Sequence, residues 1–423
     1  MQETLTFHRL TFAPERDGIM VGRPDIESYA VLPEDGARLL RVLADGMPVA
    51  AAADWYKSTF GESVDMGDFV AALTDLGFVR RQGEGEAEAS PVKLQALGRA
   101  LFSPFAWVCY ALLAAATVFV TVRSPELRPA PGNVFFVSYL VVVQLVVMVL
   151  GVLVGTLFHE WFHAMAGRRR GLPSRITVRM IFQPIGVFET ELNGLLGLPR
   201  RQRYVPFLAG MVADMVFFSG LTLAAAGLRS GPHWLWQMLL AVAYVNLLRP
   251  AWQLALFMRT DPYYALITAL GCVDLTGATR DYLRHKIGRH KIGPLEVGPR
   301  ETGGKRSSVP GAAGDAWTPR EKALAPWFTL LNVIGVSLLT AIMAFGFVPV
   351  AVGFFRRVAG GFIHYPVTSP HFWDSVAVVA VLIVDTVIGS MIVRLARRLL
   401  HAVRLSGVTP AIPSPDAAPR QTG

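Results

Sequence analysis

Apolar residues are distributed in two different ways along this chain. Up to about residue 85 they alternate with polar ones or recur at helical spacing, whereas beyond residue 103 they fuse into long runs with hardly a charge. In the first part, Leu5–Phe12 (LTFHRLTF) and Glu27–Leu32 (ESYAVL) read as strands. Helices are predicted over 34–43, 49–59 and 66–76, with Asp45-Gly46 and Gly77 as stop signals before Phe78-Val79. In the second part, six spans are predicted, at about 104–122, 134–158, 204–228, 234–258, 325–353 and 373–394. The fifth contains Gly335, Gly346 and Pro349, so its outer end is expected to bend or to lie along the membrane surface.

The fold class that follows is mainly α: a polytopic membrane helix bundle of about six spans with a small N-terminal winged-helix-like α+β domain. The expected organisation is a soluble module over 1–85, a linker rich in Gly, Glu and Ser over 86–103, and a four-span core over 104–280. A basic, partly disordered loop over 281–322, two further spans over 323–404 and a disordered tail over 405–423 complete it.

Composition sharpens that picture. The 423 residues are 52% hydrophobic and 17% charged, too apolar for an ordinary soluble protein. The net charge of +9 raises the question of nucleic acid. Its basic residues, however, crowd beside the apolar runs, as the positive-inside rule requires, and the third predicted helix carries Asp68 and Asp75 with no Lys or Arg. Nucleic acid is therefore not an expected partner; the lipid bilayer is. Eight arginines between Arg168 and Arg203, and a second basic stretch from Arg280 to Lys322, place both of those loops in the cytoplasm. With six spans both termini then lie inside, in a bacterial-type inner membrane, and Arg356-Arg357 is the one discordant pair. The first 18 residues show no basic stretch leading into an apolar one, so no cleavable signal is expected. Two cysteines, Cys109 and Cys272, offer neither a disulfide framework nor a thiolate zinc site.

The chemistry concentrates at His159-Glu160-Trp161-Phe162-His163, at the end of the second apolar run. On a helix, residues i and i+4 share a face, so both imidazoles can meet one metal with Glu160 beside it. Ionisable residues at that depth are costly unless they have a function. Zinc in a hydrolytic site commonly takes three protein ligands and leaves a position for water. His159 and His163 supply two; Asp261, Asp214, Asp385, Glu189 and Glu191 are the carboxylates in reach for the third. Asp261 is favoured by depth, since it closes the fourth run at the same end, and Asp214 is the alternative metal ligand. Asp214 is also a partner for Arg249, and Asn246 and Arg249 are expected to meet substrate or a neighbouring helix. Between the second and third spans, Ser174–Met180 alternates and Phe182–Leu192 continues around Pro184 and Gly186, which predicts a hairpin whose open edge could receive an extended substrate.

Two resemblances follow from these residues. Tyr29-Ala30-Val31-Leu32, the Asp45-Gly46 stop, and Asp68–Leu73 running into Leu76-Gly77-Phe78-Val79 are similar to PqqD-like domains. That likeness implies a leader peptide paired with an edge strand of residues 1–85. The HExxH run on an apolar span, Gly210 in a Leu-Ala-Gly run, and Asn246, Pro250, Asp261, Tyr263 and Tyr264 resemble the site-2 protease class of membrane zinc metalloproteases, in its bacterial peptide zinc metalloprotease branch. The resemblance implies His159, His163 and Asp261 as ligands of Zn2+ and Glu160 as the catalytic glutamate. One departure is that Pro262 stands where the family usually has Gly. The expected activity is hydrolysis of a peptide bond in a peptide or membrane-associated substrate, in maturation or export of a ribosomally made peptide. The alternative is a non-catalytic binding, transport or immunity component with a degenerate metal site.

Overall fold

The structure is a computed structural model, and it describes residues 4–16, 18–81, 84, 91–137, 140–182, 185–272, 274–287 and 317–383. Asp385, most of the basic loop, the end of the sixth predicted span and the C-terminal tail lie outside the described residues.

The N-terminal part builds a three-stranded antiparallel sheet in the order β1 (Thr11–Glu15), β2 (Gly18–Arg23), β3 (Ser28–Leu32). Three helices follow: α1 (Glu34–Ala44), α2 (Val49–Phe60) and α3 (Met66–Asp75). The helix positions match the apolar spacing of the sequence, but the sheet does not match the predicted strands. The strand expected over 5–12 begins at Thr11, and the central strand β2 was not expected at all. GIMVGR is bounded by glycines and only six residues long, yet Val21 and Met20 are buried at the middle of the sheet. The chain then returns, and Val79 bridges Phe7. Apolar faces of all three helices close over the sheet, with Val21, Leu32, Leu40, Leu43, Leu73 and Phe78 almost wholly buried. The Tyr56 hydroxyl donates to Asp35, tying α2 to α1; this bond, with burial, pushes the phenol up to about 12.

The stretch expected as a linker contains a short helix, α4 (Gln95–Leu101), seated on the end of the second long helix. A Cβ at Gly98 would lie 2.5 Å from the Met165 carbonyl oxygen, so only glycine permits that approach. Beyond it come α5 (Pro104–Arg123), α6 (Val141–Arg169), the hairpin β4 (Ser174–Phe182) and β5 (Ile185–Leu192), α7 (Arg200–Gly227), α8 (His233–Gln253), α9 (Asp261–Leu270) and α10 (Leu275–Ile287). Then follow α11 (Pro319–Ile342), a π-helical turn over Met343–Phe347, α12 (Val348–His364) and α13 (Pro370–Ile383).

Among the described residues, four helical stretches are long and apolar enough to cross a membrane: Pro104–Arg123, Val141–Arg169, Arg200–Gly227 and Pro319–His364. Six were expected. The fourth expected span is α8, which has 21 residues but carries His233, Gln237, Asn246, Arg249 and Gln253 and is not among the four. The described part of the sixth, Pro370–Ile383, is a shorter apolar helix. The fifth continues as one helical stretch of 46 residues, with a π turn over Met343–Phe347, where Gly346 lies. Pro349 comes two residues after the π turn, whose altered hydrogen bonding accommodates a residue with no N–H to donate. The discordant Arg357 donates to the Val137 carbonyl and lies over the Phe135 ring.

The N-terminal domain is docked on the entry to α7. Glu15 pairs with Arg203 and Arg200, and Arg203 also donates to the carbonyls of Leu196 and Leu198. Glu27 accepts the Gly194 amide at 2.6 Å, just past the hairpin. Burial raises the Glu27 carboxyl above its ordinary range, and that amide only partly offsets the rise.

Candidate metal centre

Three elements converge on one point. The C-terminal half of α6 brings His159, Glu160 and His163, α7 brings Gly210 and Asp214, and the start of α9 brings Asp261. Helix α7 packs against both α6 and α9 here, and Gly210 permits the close approach to α6. A Cβ on that residue would sit 2.2 Å from His159 Nε2 and 2.4 Å from His163 Nε2, so any side chain there would fill the space into which both rings point.

The hydrogen bonds decide which ring nitrogens are free. His159 Nδ1 lies 3.0 Å from Asp214 Oδ2, and His163 Nδ1 lies 2.7 Å from the Pro206 carbonyl. Each partner is an acceptor only, so each Nδ1 carries a proton, and in the neutral ring the lone pair is then on Nε2. The two Nε2 atoms are 3.2 Å apart, and Asp261 Oδ2 is 3.1 Å from both. With both rings neutral, three lone-pair-bearing atoms this close repel one another unless a metal ion or a shared proton lies between them. Corners of a tetrahedron with bonds of about 2.0 Å are about 3.3 Å apart, so the triangle has the dimensions of one face of a zinc site. His159, His163 and Asp261 are the only such group of three among the described residues. Of the carboxylates here, Asp214 is ion-paired with Arg249, Asp261 lies against the two histidines and Glu160 against Thr190.

No family model matches the chain, and no curated protein or solved structure matches it either. The case for this site therefore rests on its own residues.

The remaining candidates fall into place around the triangle. Asp214 sits on the far nitrogen of His159 instead of joining the metal-facing group, and it is ion-paired with Arg249, whose Nη2 also donates to the Gly155 carbonyl at 2.8 Å. Asn246 donates to the carbonyls of Gly151 and Val242 at 3.2 and 2.9 Å, so its amide joins α8 to α6. Both residues considered for substrate contact thus bond within the bundle, though Nε and Nη1 of Arg249 are buried without a hydrogen bond. Glu189 and Glu191 lie on β5 outside the triangle; the latter accepts from Thr177. Period-two alternation turns Thr190, between them, toward α6, where its hydroxyl lies 2.8 Å from Glu160 Oε2.

Two residues that hold Asp261 were not foreseen. Gln253 donates to Asp261 Oδ2 at 3.1 Å and accepts the Asp261 amide at 3.2 Å, while Thr260 Oγ1 donates back to the Gln253 carbonyl. Between them Arg259 adopts a left-handed conformation at φ 56°, which turns the chain sharply into α9. Pro262 falls in the first turn of α9, where a missing N–H is no loss, so the departure from glycine leaves Asp261 facing both histidines.

Proposed function

We propose that this chain is an intramembrane zinc metallopeptidase acting on a peptide or membrane-associated substrate, in the maturation or export of a ribosomally made peptide. The observation that carries the reading is the triangle of His159, His163 and Asp261, with both histidine tautomers fixed from behind and a glutamate next in sequence. A zinc ion held there would acidify a bound water and polarise a substrate carbonyl. Glu160 takes the proton of the attacking water and returns it to the leaving amine, the usual division of labour for a carboxylate beside such a site. Asp214 fixes the His159 ring, and Arg249 balances the charge of Asp214. Gln253 and Thr260 hold Asp261 in register.

The rest of the molecule suits delivery of a chain in extended form. Hairpin β4–β5 lies beside Glu160 with edges open to pairing, and β3 is an edge strand of the N-terminal domain on which a leader peptide fits. By the charge of its loops, the metal end of α6 and both termini face the cytoplasm.

The test is metal analysis of the purified protein together with cleavage of candidate precursors in detergent. One zinc per chain is expected in both the natural protein and Glu160→Gln, with cleavage lost only in the variant. Cleavage that survives Glu160→Gln would refute the assignment. Zinc without any Glu160-dependent cleavage would instead favour a non-catalytic membrane carrier.

A further inference from the structure

The hairpin does more than lie near the site. It is seated on one stripe of α6: Thr190 reaches Glu160, Ser174 Oγ donates to the Ala164 carbonyl at 3.2 Å, and Leu192 packs so closely on Gly167 that a Cβ there would be 2.6 Å from its side chain. Positions 160, 164 and 167 share a helix face, next to the face that carries His159 and His163. Glu160 is therefore the residue at which hairpin and metal-facing group adjoin.

Thr190 has one hydroxyl proton and two acceptors in range, the Glu160 carboxylate at 2.8 Å and the Glu160 peptide carbonyl at 2.9 Å. Within α6 that carbonyl already accepts the amide four residues on. The buried carboxylate is the acceptor with the greater need, and a hydroxyl bond to an ionised oxygen is among the stronger ones.

We propose that Thr190 is a positioning residue, aiming the Glu160 carboxylate from the strand on which an extended substrate is built. It rests on the metallopeptidase reading and adds to it a link between hairpin and base. A substrate strand paired with the hairpin sets the geometry of β5, and β5 through Thr190 sets the direction of the base. Peptides that fail to pair would meet a misdirected Glu160, so selection would be read in turnover as well as in binding.

The experiment uses the full-length protein in detergent with Thr190→Val, which keeps shape and loses the hydroxyl, and Thr190→Ser, which keeps the hydroxyl. Thr190→Val is expected to lower kcat by about tenfold to a hundredfold, the worth of a hydrogen bond to a charged group, with KM and zinc content unchanged. Thr190→Ser is expected to restore most of it. A raised KM at unchanged kcat would make Thr190 a substrate contact and overturn the proposal, as would a serine variant no better than valine.

A second measurement does not depend on activity. Hydrogen exchange of β5 should quicken equally in Thr190→Val and Glu160→Ala, and no further in the double variant. Effects that multiply, or none, would show that the two side chains are not linked. If the natural protein shows no Glu160-dependent cleavage, the hydrolase reading fails and the positioning role falls with it. Coupled exchange in that case separates the outcome from a Thr190 that never engages Glu160.

Discussion

The N-terminal domain and the helix bundle bury opposite kinds of residue. In the N-terminal domain Leu40 is 0% exposed among other aliphatic side chains, whereas in the bundle Phe105 and Phe345 are 77% and 80% exposed while Gln144, Asp214, Asn246 and Glu321 lie inside. Water drives the first arrangement by expelling apolar surface. In the second, lipid is as apolar as leucine and removes that drive, so small residues, close backbones and buried polar bonds hold the helices together. Gly155, against Asn246, and Gly210, against both histidines, are the visible form of this rule. A bundle built so can place three carboxylates, two imidazoles and a guanidinium in its interior, provided each has a partner.

That contrast can be tested from either side, most severely at Gly210. Gly210→Ala is expected to abolish zinc binding as completely as His159→Ala, because its methyl would occupy the space between the rings. Zinc retained at one per chain would show that the triangle is not the binding site. In the N-terminal domain, Leu40→Ala should destabilise by about 2–5 kcal/mol, the usual cost of a core cavity. Phe345→Ala removes more atoms from the lipid-facing side, yet should change stability by less than about 1 kcal/mol in unfolding within detergent. If the two costs came out equal, the exposed face of α11 and its π turn would have to be a packed interface.

Asp214→Asn should weaken zinc binding by about 10–100-fold, since it keeps a bond to His159 but loses the charge and leaves Arg249 unbalanced. Competition with a chelator measures this, and an unchanged affinity would remove Asp214 from the site. The smallest effect is expected where the two regions meet. Because burial raises the folded value of the Glu27 carboxyl above 4.5, the folded state holds that proton more tightly than the unfolded chain does. The junction should therefore loosen as pH climbs from the ordinary carboxylate value through the raised one, and tighten as it falls. Glu27→Gln should flatten this dependence, as hydrogen exchange around Gly194 would record.

The sequence was most legible where one helix carried the signal. The spacing of His159 and His163 and the apolar run before them placed α6, and the depth of Asp261 singled it out from the other carboxylates that structure brings near. Features built from several segments were not legible. Strand β2 declares itself only when β1 and β3 flank it, and α4 looks like a linker until Gly98 meets Met165. Thr190 and Gln253 are ordinary polar residues whose meaning depends on which carboxylate they face. The alternation of β5 offered one clue, since two glutamates on one face leave Thr190 to the other. Four of the six expected spans are legible as long apolar helices; α8 carries Asn246 and Arg249 among its apolar residues, and the end of the sixth lies outside the described residues.

The wide turn at Met343–Phe347 has its own consequence for the longest helical stretch among the described residues. Along that stretch Gly335 abuts the Leu254 carbonyl, Gly346 meets Tyr244 and Leu248, and Gly353 nestles on the ring of Phe135. Every residue of an ordinary helix advances the screw by about 100°. The wide turn already holds one residue more than a regular helix needs, so deleting one residue there would restore normal pitch and leave Gly353 on Phe135, whereas the same deletion in the regular part of α11 would swing everything downstream by that angle.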